Sequence, residues 1–475
     1  MESNTYLIIG RRGSGKTSLS QYFTFQKDKS LKGSICIDVD EPNLYQHILK
    51  KISRMASGNK EIALPRIVKI WEYLIWALIF EEFKEHDEKI QLASYFSYDK
   101  VKPSVVILQL LQKLISRFTK DEHSELADDF ETLLTSKIVQ EAQERVRKLT
   151  STNPVIVAID TLEHYDVNDE SMMQATAALV ECASKFNTKY LKDNIHLKVF
   201  VSAEVFPHLI ENVISNPSKY IRNPVYLNWR PKDLIRLLCW RFYLYLKSSD
   251  LNNLQLDDDI DWNQFKDVYN KMWVPYFKEN VENCIGIQEK TFPYVLRHTQ
   301  MRPRQLIILC NEIGEEAMRL GSFPLFTNEV IVNSVTKIES ILANEVINSY
   351  KSVYENVSKI VDALVSKPIM FKGKLLDKIA PETASAWPPN TYSPLKFRQL
   401  VAELGIVGRV REYKEDSGIV LADFEYTMHD RLPLQPNDDC VIHPMFFRRL
   451  NTKNTNRLRV YPFPDSDSYK EMTIT

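Results

Sequence analysis

The chain contains 475 residues, with 61 lysine and arginine side chains against 62 aspartate and glutamate side chains. This length indicates about two to four domains. A hydrophobic fraction of 44% supplies enough apolar surface for sizeable cores, which excludes a globally disordered chain. The net charge near zero gives no global sign of nucleic-acid binding, although it is compatible with local basic patches.

A phosphate-binding loop is predicted at the start of the chain. Residues Gly10–Thr17 read GRRGSGKT and match the pattern G-x-x-x-x-G-K-[ST] at every fixed position. A short apolar strand at 5–9 precedes the loop, and a helix follows it. The glycines let the backbone turn tightly around an anion, and the helix N-terminus adds partial positive charge at the same spot. This setting makes a plain structural turn a poor alternative.

ATP and Mg²⁺ are therefore the expected cofactors. Lys16 is expected to reach the β- and γ-phosphates as a catalytic residue, and Thr17 to offer its hydroxyl to magnesium. The residues of this loop predicted to contact nucleotide are Gly10, Arg12, Gly13, Ser14, Gly15, Lys16, Thr17 and Ser18.

A strand at 34–40 and a long helical stretch at about 43–149 come next. Its predicted helices cover 44–57, 65–86, 103–118 and 124–149, with Pro65 and Pro103 at positions that tolerate proline in a first turn. The segment Trp71–Leu78 is apolar nearly all round, so it should be buried. The longest uninterrupted apolar run is far shorter than the roughly 20 residues of a membrane span. No membrane association is expected.

Three more strands are predicted at 155–160, 196–202 and 224–229. Strands separated by helices indicate a parallel sheet built from βαβ units. Asp160 ends the first of these three strands and is the predicted second magnesium ligand and a catalytic residue. Asp38 is the alternative acid, although its strand is shorter and begins with a serine.

ATP hydrolysis also needs a group that orients or deprotonates water. The residue after Asp160 is Thr161, so the next acid, Glu163, is the predicted catalytic carboxylate, with a solvated loop acid as the alternative. Hydrolysis is therefore expected to be slow. Ser202 would face the γ-phosphate if its strand lies between the two nucleotide-binding strands, and would otherwise cap its strand.

A helix from Pro231 to about residue 246, an acidic loop at 250–261 and further helices to about 340 follow. Arg302 and Arg304 begin an apolar helix in this region. A guanidinium pairs two phosphate oxygens at once, so one of these arginines is a candidate γ-phosphate sensor. Arg304 is preferred as the catalytic one and Arg302 is assigned to nucleotide binding. A surface salt bridge is the alternative.

The last region is predicted to be a winged-helix-like domain. Helices are expected at 353–364, at 371–379 and from Ser393, with Gly405 as a helix C-cap, followed by strands at 406–411, 424–429 and 440–443. A basic run near the end could contact DNA phosphates, or could form a solvated tail or an interface. Its members are Arg448, Arg449, Lys453, Arg457 and Arg459.

The motifs occur in the order GRRGSGKTS, VIVAIDTLEH, KVFVSAEVF, NWRPKDL and RPRQLIILC. This order resembles the STAND and AAA-like branch of additional-strand P-loop ATPases, and within it the bacterial ATPases of DNA repair and phage defence. Residues 160–163 are similar to the STAND pattern. The resemblance covers residues 5–310 with gaps, and Thr161 and the helical insert depart from it. It implies an ATP-driven switch, often oligomeric and often coupled to a separate effector protein.

The predicted fold is therefore α/β, a parallel-sheet P-loop NTPase core with a large helical insert, a helical lid and a C-terminal winged-helix-like domain. The domains are expected at 1–235, with the insert at about 43–149, at 236–340 and at 341–475. The six cysteines form no C-x-x-C pair, which favours reduced thiols and a cytoplasmic protein.

The leading functional hypothesis is an ATP-binding and hydrolysing switch. It would control a separately encoded effector in anti-phage defence, and the chain is expected to form a homo-oligomer. The alternative is a DNA-associated ATPase, a repair factor or loader that binds DNA through the winged helix. A small-molecule kinase is the third hypothesis, and the chain length and the lack of an evident second-substrate site count against it.

Overall fold

The computed structural model describes most of the chain in two compact units. We refer to Met1–Leu227 as the N-terminal unit and to Asn228–Thr475 as the C-terminal unit. The described residues are 5–25, 35–40, 42–56, 60–94, 102–118, 134–160, 169–214, 216–249, 259–428, 430–454 and 457–473.

A five-stranded parallel sheet forms the centre of the N-terminal unit. Its strand order is β2-β3-β4-β1-β5, and every neighbouring pair is parallel. The strands are β1 (Leu7–Gly10), β2 (Ile35–Val39), β3 (Val155–Asp160), β4 (Ile195–Ser202) and β5 (Val225–Tyr226). The predicted parallel sheet is confirmed, and β4 lies between β1 and β3, the condition on which the role predicted for Ser202 depended.

Both faces of this sheet are covered. Ile8, Ala158 and Phe200 pack on one face with Leu19 from the first helix, whereas the strand residues that alternate with them join the main core on the other face. Coverage on both faces explains why β1 and β3 read as continuous apolar runs instead of alternating patterns.

The helices of this unit follow the strands as expected for βαβ units. They are α1 (Lys16–Phe25), α2 (Gln46–Ala56), α3 (Lys60–Phe83), α4 (Glu88–Ala93), α5 (Pro103–Phe118), α6 (Lys137–Thr150), α7 (Glu170–Tyr190), α8 (Phe206–Asn212) and α9 (Pro217–Tyr220). Pro103 begins α5 as predicted, but Pro65 lies inside α3, which begins at Lys60. The predicted helix at 124–149 is described only from 134 onward.

The helical insert packs on the main core through α3. Trp71 and Trp76 are fully buried, which confirms the predicted burial of this segment. The indole Nε1 of Trp71 donates a hydrogen bond to the carbonyl oxygen of Ala175 in α7 at 3.0 Å. The ring of Trp76 contacts that of Tyr190 edge-on, with centroids 5.0 Å apart. The insert is therefore anchored on α7, one of the helices that cover the sheet.

The first part of the C-terminal unit is helical. Its helices are α10 (Pro231–Ser248), α11 (Phe265–Val268), α12 (Val274–Phe277), α13 (Thr291–Leu296), α14 (Pro303–Arg319) and α15 (Asn328–Ser349). A π-helical turn at Tyr269–Trp273 joins α11 to α12. A small antiparallel hairpin that was not expected from the sequence precedes α13. Its strands are β6 (Asn280–Glu282) and β7 (Gln288–Lys290).

The second part of this unit has the winged-helix element order. A helix, a strand, two helices and a strand hairpin follow one another, and two further strands complete a sheet of order β12-β10-β9-β11-β8. The elements are α16 (Val357–Val361), β8 (Met370–Lys372), α17 (Lys374–Ile379), α18 (Pro394–Glu403), β9 (Val407–Lys414), β10 (Ile419–Asp423), β11 (Asp439–Ile442), β12 (Arg459–Tyr461) and α19 (Ser466–Thr473). The winged-helix-like prediction is confirmed.

Two boundaries in this region were predicted wrongly. Phe371 belongs to strand β8 instead of a helix, because it pairs with Cys440 of β11. The strand predicted at 424–429 lies earlier, at Ile419–Asp423, and a short 3₁₀ turn follows it. Gly405 follows α18 with a φ of 65°, as predicted for a helix C-cap.

None of the helices among the described residues is both long enough and apolar enough to cross a membrane.

Candidate nucleotide-binding site

The loop between β1 and α1 has the backbone shape that phosphate binding requires. Gly13 and Gly15 have φ values of 80° and 99°, a region that other residues avoid. A Cβ atom at Gly10 would lie 2.4 Å from the Oγ of Ser14. The loop therefore requires glycine at these positions for two reasons, left-handed backbone at Gly13 and Gly15 and close packing at Gly10.

Lys16 is buried and folds back over this loop. Its Nζ donates hydrogen bonds to the carbonyl oxygens of Gly10 at 3.0 Å and Arg11 at 3.4 Å. The ammonium group therefore lies on the loop. A bound anion would replace the two carbonyl oxygens as its hydrogen-bond acceptor. Arg12 lies in the loop, and Ser18 is exposed in the first turn of α1.

Thr17 and Asp160 meet at the carboxyl edge of the sheet. The Oγ1 of Thr17 donates a hydrogen bond to the Oδ2 of Asp160 at 2.7 Å. Asp160 is buried at the end of β3, whereas the alternative acid, Asp38, accepts a hydrogen bond from Ser20. Burial raises the pKa of Asp38, although the bond from Ser20 acts in the opposite direction.

This pair fits a magnesium ion by its chemistry. Mg²⁺ prefers oxygen ligands and is usually held by one or two protein groups together with substrate phosphates and water. Among the described residues no group of three or more His, Cys, Asp or Glu side chains could hold a metal. A hydroxyl beside a carboxylate at the phosphate loop is the oxygen pair that such a shared site needs.

Glu204 joins the phosphate loop to the end of β4, a strand end at which Ser202 alone was assigned to nucleotide binding. Its Oε1 accepts a hydrogen bond from the backbone amide of Arg12 at 3.0 Å, and its Oε2 accepts one from the hydroxyl of Ser202 at 2.5 Å. The side chain is only 4% exposed. Its position two residues beyond a parallel strand was the available signal, because ligands of such sheets bind beyond the carboxyl ends of the strands.

Burial shifts the pKa values of two further side chains near the sheet, Tyr45 and Lys198. Burial, with a further contribution from the charge of Asp160, raises the pKa of Tyr45. Burial lowers the pKa of Lys198 on β4 to about 8, and its ammonium group donates to the carbonyl oxygen of Thr5. Tyr45 is therefore neutral at physiological pH, and Lys198 is a charge buried at an energetic cost.

The remaining predicted site residues are not part of this cluster. Thr161 and Glu163 lie outside the described residues. Arg302 is buried in the C-terminal unit, where its Nη2 donates to the Oε1 of Gln300 at 2.6 Å. Arg304 is largely exposed, and its Nε lies 3.6 Å from the Oε1 of Glu345. This contact is the surface salt bridge that was the alternative interpretation. The sensor roles of both arginines stay predictions.

Most of the predicted basic run is engaged within the C-terminal unit. Four of its arginines donate hydrogen bonds to that unit; they are Arg448, Arg449, Arg457 and Arg459. Arg449, for example, donates to the carboxylate of Asp362 at 2.7 Å. These contacts use part of the donor capacity that DNA phosphates would need, and they favour the interpretation of this run as an internal interface.

The strand order and the loop together define a P-loop NTPase core in which β4 separates the loop strand β1 from the acid-bearing strand β3. No family model matches the chain, and no curated protein matches it. Among solved structures it is similar to the ORC2 protein of Aeropyrum pernix, determined in ADPNP–ADP complexes. The TM-score is 0.39 over 93% of this chain and 84% of that chain, with 12% sequence identity. A likeness of this size does not define a function.

Proposed function

We propose that the N-terminal unit binds Mg-ATP and hydrolyses it slowly, so that the bound nucleotide switches the state of the chain. One observation carries this proposal. The hydroxyl of Thr17 and the carboxylate of Asp160 lie 2.7 Å apart beside a glycine-shaped anion loop. Residues 143 positions apart in sequence converge there, and a purely structural turn needs no such pair.

Each residue of the loop has a defined task. The backbone amides and the Nζ of Lys16 would offset the negative charge of a bound phosphate chain, and Thr17 with Asp160 would hold a magnesium ion. The metal would supply further positive charge beside the phosphates. On nucleotide binding, the Nζ of Lys16 would exchange the carbonyl oxygens of Gly10 and Arg11 for phosphate oxygens.

Two carboxylates are candidates for positioning the attacking water. Glu163 was predicted from the sequence, and Glu204 is supported by its contacts with the loop amide of Arg12 and with Ser202. A general base has to lie within reach of the reacting group, and the buried carboxylate of Glu204 lies against the loop that would hold the phosphates. We assign this role to Glu204 because its carboxylate is hydrogen-bonded to the loop amide of Arg12.

The test is ATP binding and turnover by the full chain beside the Lys16→Ala variant. We expect wild type to bind Mg-ATP and release phosphate slowly, and the variant to lose both activities. Equal ATP binding by the two proteins would contradict the proposal. Transfer of phosphate to an acceptor, in place of phosphate release, would instead support the kinase hypothesis.

A DNA-associated ATPase is the second candidate, and the winged-helix element order of residues 357–423 favours it. Many proteins of this general helix-turn-helix type place a helix in the major groove. The tip of the β9–β10 hairpin is acidic at Glu415 and Asp416, and two nearby arginines, Arg411 and Arg459, donate hydrogen bonds within the same unit. We therefore expect any duplex affinity to be weak and to fall steeply with salt.

Binding of duplex DNA at several salt concentrations tests this second function. Affinity that falls with salt, together with DNA-stimulated ATP turnover, would support it. No affinity at low salt would exclude duplex DNA as the partner. Control of an effector protein, a role in phage defence and homo-oligomer formation stay predictions from the sequence.

A further inference from the structure

Three partly exposed tryptophans converge on one cavity of the C-terminal unit. The chain contains seven tryptophans. Four of them are buried, namely Trp71, Trp76, Trp273 and Trp387. The other three, Trp229, Trp240 and Trp262, all line a single cavity of about 400 Å³ beside α10. We refer to this cavity as the tryptophan pocket.

Two of the indole rings of this pocket pack against each other and against a buried tyrosine. The rings of Trp240 and Trp262 meet edge-on, with centroids 4.8 Å apart and an interplanar angle of 85°. Tyr243, which is buried, contacts both rings at centroid distances of 6.0 and 5.5 Å. Trp240 is nevertheless 43% exposed. Rings that are already ordered lose little conformational entropy when a ligand stacks on them.

A carboxylate and a guanidinium line the same cavity. Asp233 and Arg236 lie one turn apart on α10, with 3.5 Å between the Oδ1 and Nη1 atoms. The Nε of Arg236 also donates to the carbonyl oxygen of Trp262 at 2.7 Å, which fixes the guanidinium beside the rings. The pocket therefore presents aromatic surface together with an acceptor and donors in close proximity.

This combination selects the chemistry of a ligand. The charges of Asp233 and Arg236 sum to zero and lie 3.5 Å apart, so the pair gives little net attraction to a quaternary ammonium ion, the usual guest of an aromatic cage. It gives equally little net attraction to a simple anion. A neutral, flat ring with hydrogen-bond donors and acceptors on its edge suits both side chains, and every nucleobase has that form.

We propose that the tryptophan pocket binds a nucleobase, either of a nucleoside or of an unpaired residue in single-stranded nucleic acid. Base stacking on an aromatic side chain is tolerant of sequence, so the pocket should accept different bases. Its volume is within the usual range for small-ligand sites, about 300–1,000 Å³. The proposal does not depend on ATP binding, because all the lining residues belong to the C-terminal unit.

The experiment uses the full chain with Lys16→Ala, so that the phosphate loop contributes as little as possible. The probes are thymidine, a short oligothymidylate, and an oligonucleotide of the same length that lacks bases. Binding is measured by quenching of indole fluorescence and by anisotropy of labelled oligonucleotides. We expect oligothymidylate to bind at least about tenfold more tightly than the abasic strand, the size of one lost stacking contact.

Trp240→Ala should weaken oligothymidylate binding about tenfold or more, and Trp240→Phe should retain part of the affinity. Leu244→Ala is the matched control, because Leu244 is similarly exposed on the same helix but does not line the pocket. Thymidine binding equal to that of the oligonucleotide would assign the site to free nucleosides. Binding of choline in place of either probe would overturn the proposal.

Equal affinity for oligothymidylate and the abasic strand would also overturn it. That comparison needs no substitution in the pocket, so a Trp240 variant that fails to fold leaves the test intact. Failure of the ATP experiment with intact base binding would reject only the ATPase function, and the reverse outcome would reject only the tryptophan pocket.

Discussion

Replacement of Gly10 by alanine tests how tightly the phosphate loop is packed. The φ of Gly10 is not in the left-handed region, so the cost of the substitution is steric. The new Cβ would lie 2.4 Å from the Oγ of Ser14, 3.1 Å from the Cγ of Lys16 and 3.2 Å from the Cβ of Leu227. Overpacking of this kind destabilises a protein by about 1–3 kcal/mol. We expect a loss in the upper half of that range.

Much of this cost should come from the contact with Ser14. In a Ser14→Ala background the closest atom is gone, and the two remaining contacts need shifts of only a few tenths of an ångström. A double-mutant cycle should therefore show a favourable coupling of about 1 kcal/mol between the two substitutions. ATP affinity of Gly10→Ala should fall at least about tenfold, because the side chain of Lys16 has to move with the loop.

The assay is urea unfolding monitored by hydrogen exchange. The free energy of unfolding is determined separately for the two units, because a chain with two compact units need not unfold in one step. Gly314→Ala is the matched control, since a Cβ there would meet no atom within 4 Å. It lies inside α14, so alanine should stabilise the helix by about 0.5–1 kcal/mol. Additive effects of Gly10→Ala and Ser14→Ala, within about 0.5 kcal/mol, would refute the steric reasoning.

Three further predictions concern charge. Asp160→Asn keeps an acceptor for the hydroxyl of Thr17 but removes the negative charge, so ATP binding should lose its dependence on magnesium. If a magnesium titration still raised the ATP affinity of this variant, Asp160 would not be the metal ligand. Glu204→Gln should lower ATP turnover by about 10²–10⁴-fold with little change in ATP affinity, and Glu163→Gln should not; the reverse ranking would assign catalysis to Glu163. Burial lowers the pKa of Lys198 from 10.5 to about 8, so above pH 8 the unfolded chain binds more protons and stability should rise with pH toward 10.5. The rise amounts to roughly 3 kcal/mol at most, and Lys198→Met should remove it; equal slopes for the two proteins between about pH 8 and 9.5 would exclude this cause.

Local patterns in the sequence were sufficient to predict the glycine-rich turn between β1 and α1 and the acid that meets it. A P-loop is a short, continuous stretch, and its glycines have to occupy fixed positions to turn the backbone. Asp160 was recognisable because an apolar run ends in an acid, and Thr17 does contact it. Helix periodicity and strand runs likewise predicted the parallel sheet and the winged-helix element order, since each depends on neighbouring residues.

Boundaries were wrong where pairing between distant segments overrides local preference. Phe371 begins an apparent helical run, yet it pairs with Cys440 in a sheet. The hairpin at 280–290 is short and polar at its edges, so its sequence carries little strand signal. In both places the hydrogen bonds of another strand decide the backbone conformation.

Only the tertiary structure decided which distant residues share a site. The contact between Glu204 and the loop amide of Arg12 spans 192 positions and depends on β4 lying beside β1. Trp229, Trp240 and Trp262 look unrelated in the sequence, but the packing of α10 brings them to one cavity. A sequence pattern records the local preference of a segment, whereas such convergence follows from strand order and helix packing, which are set by contacts across the whole unit.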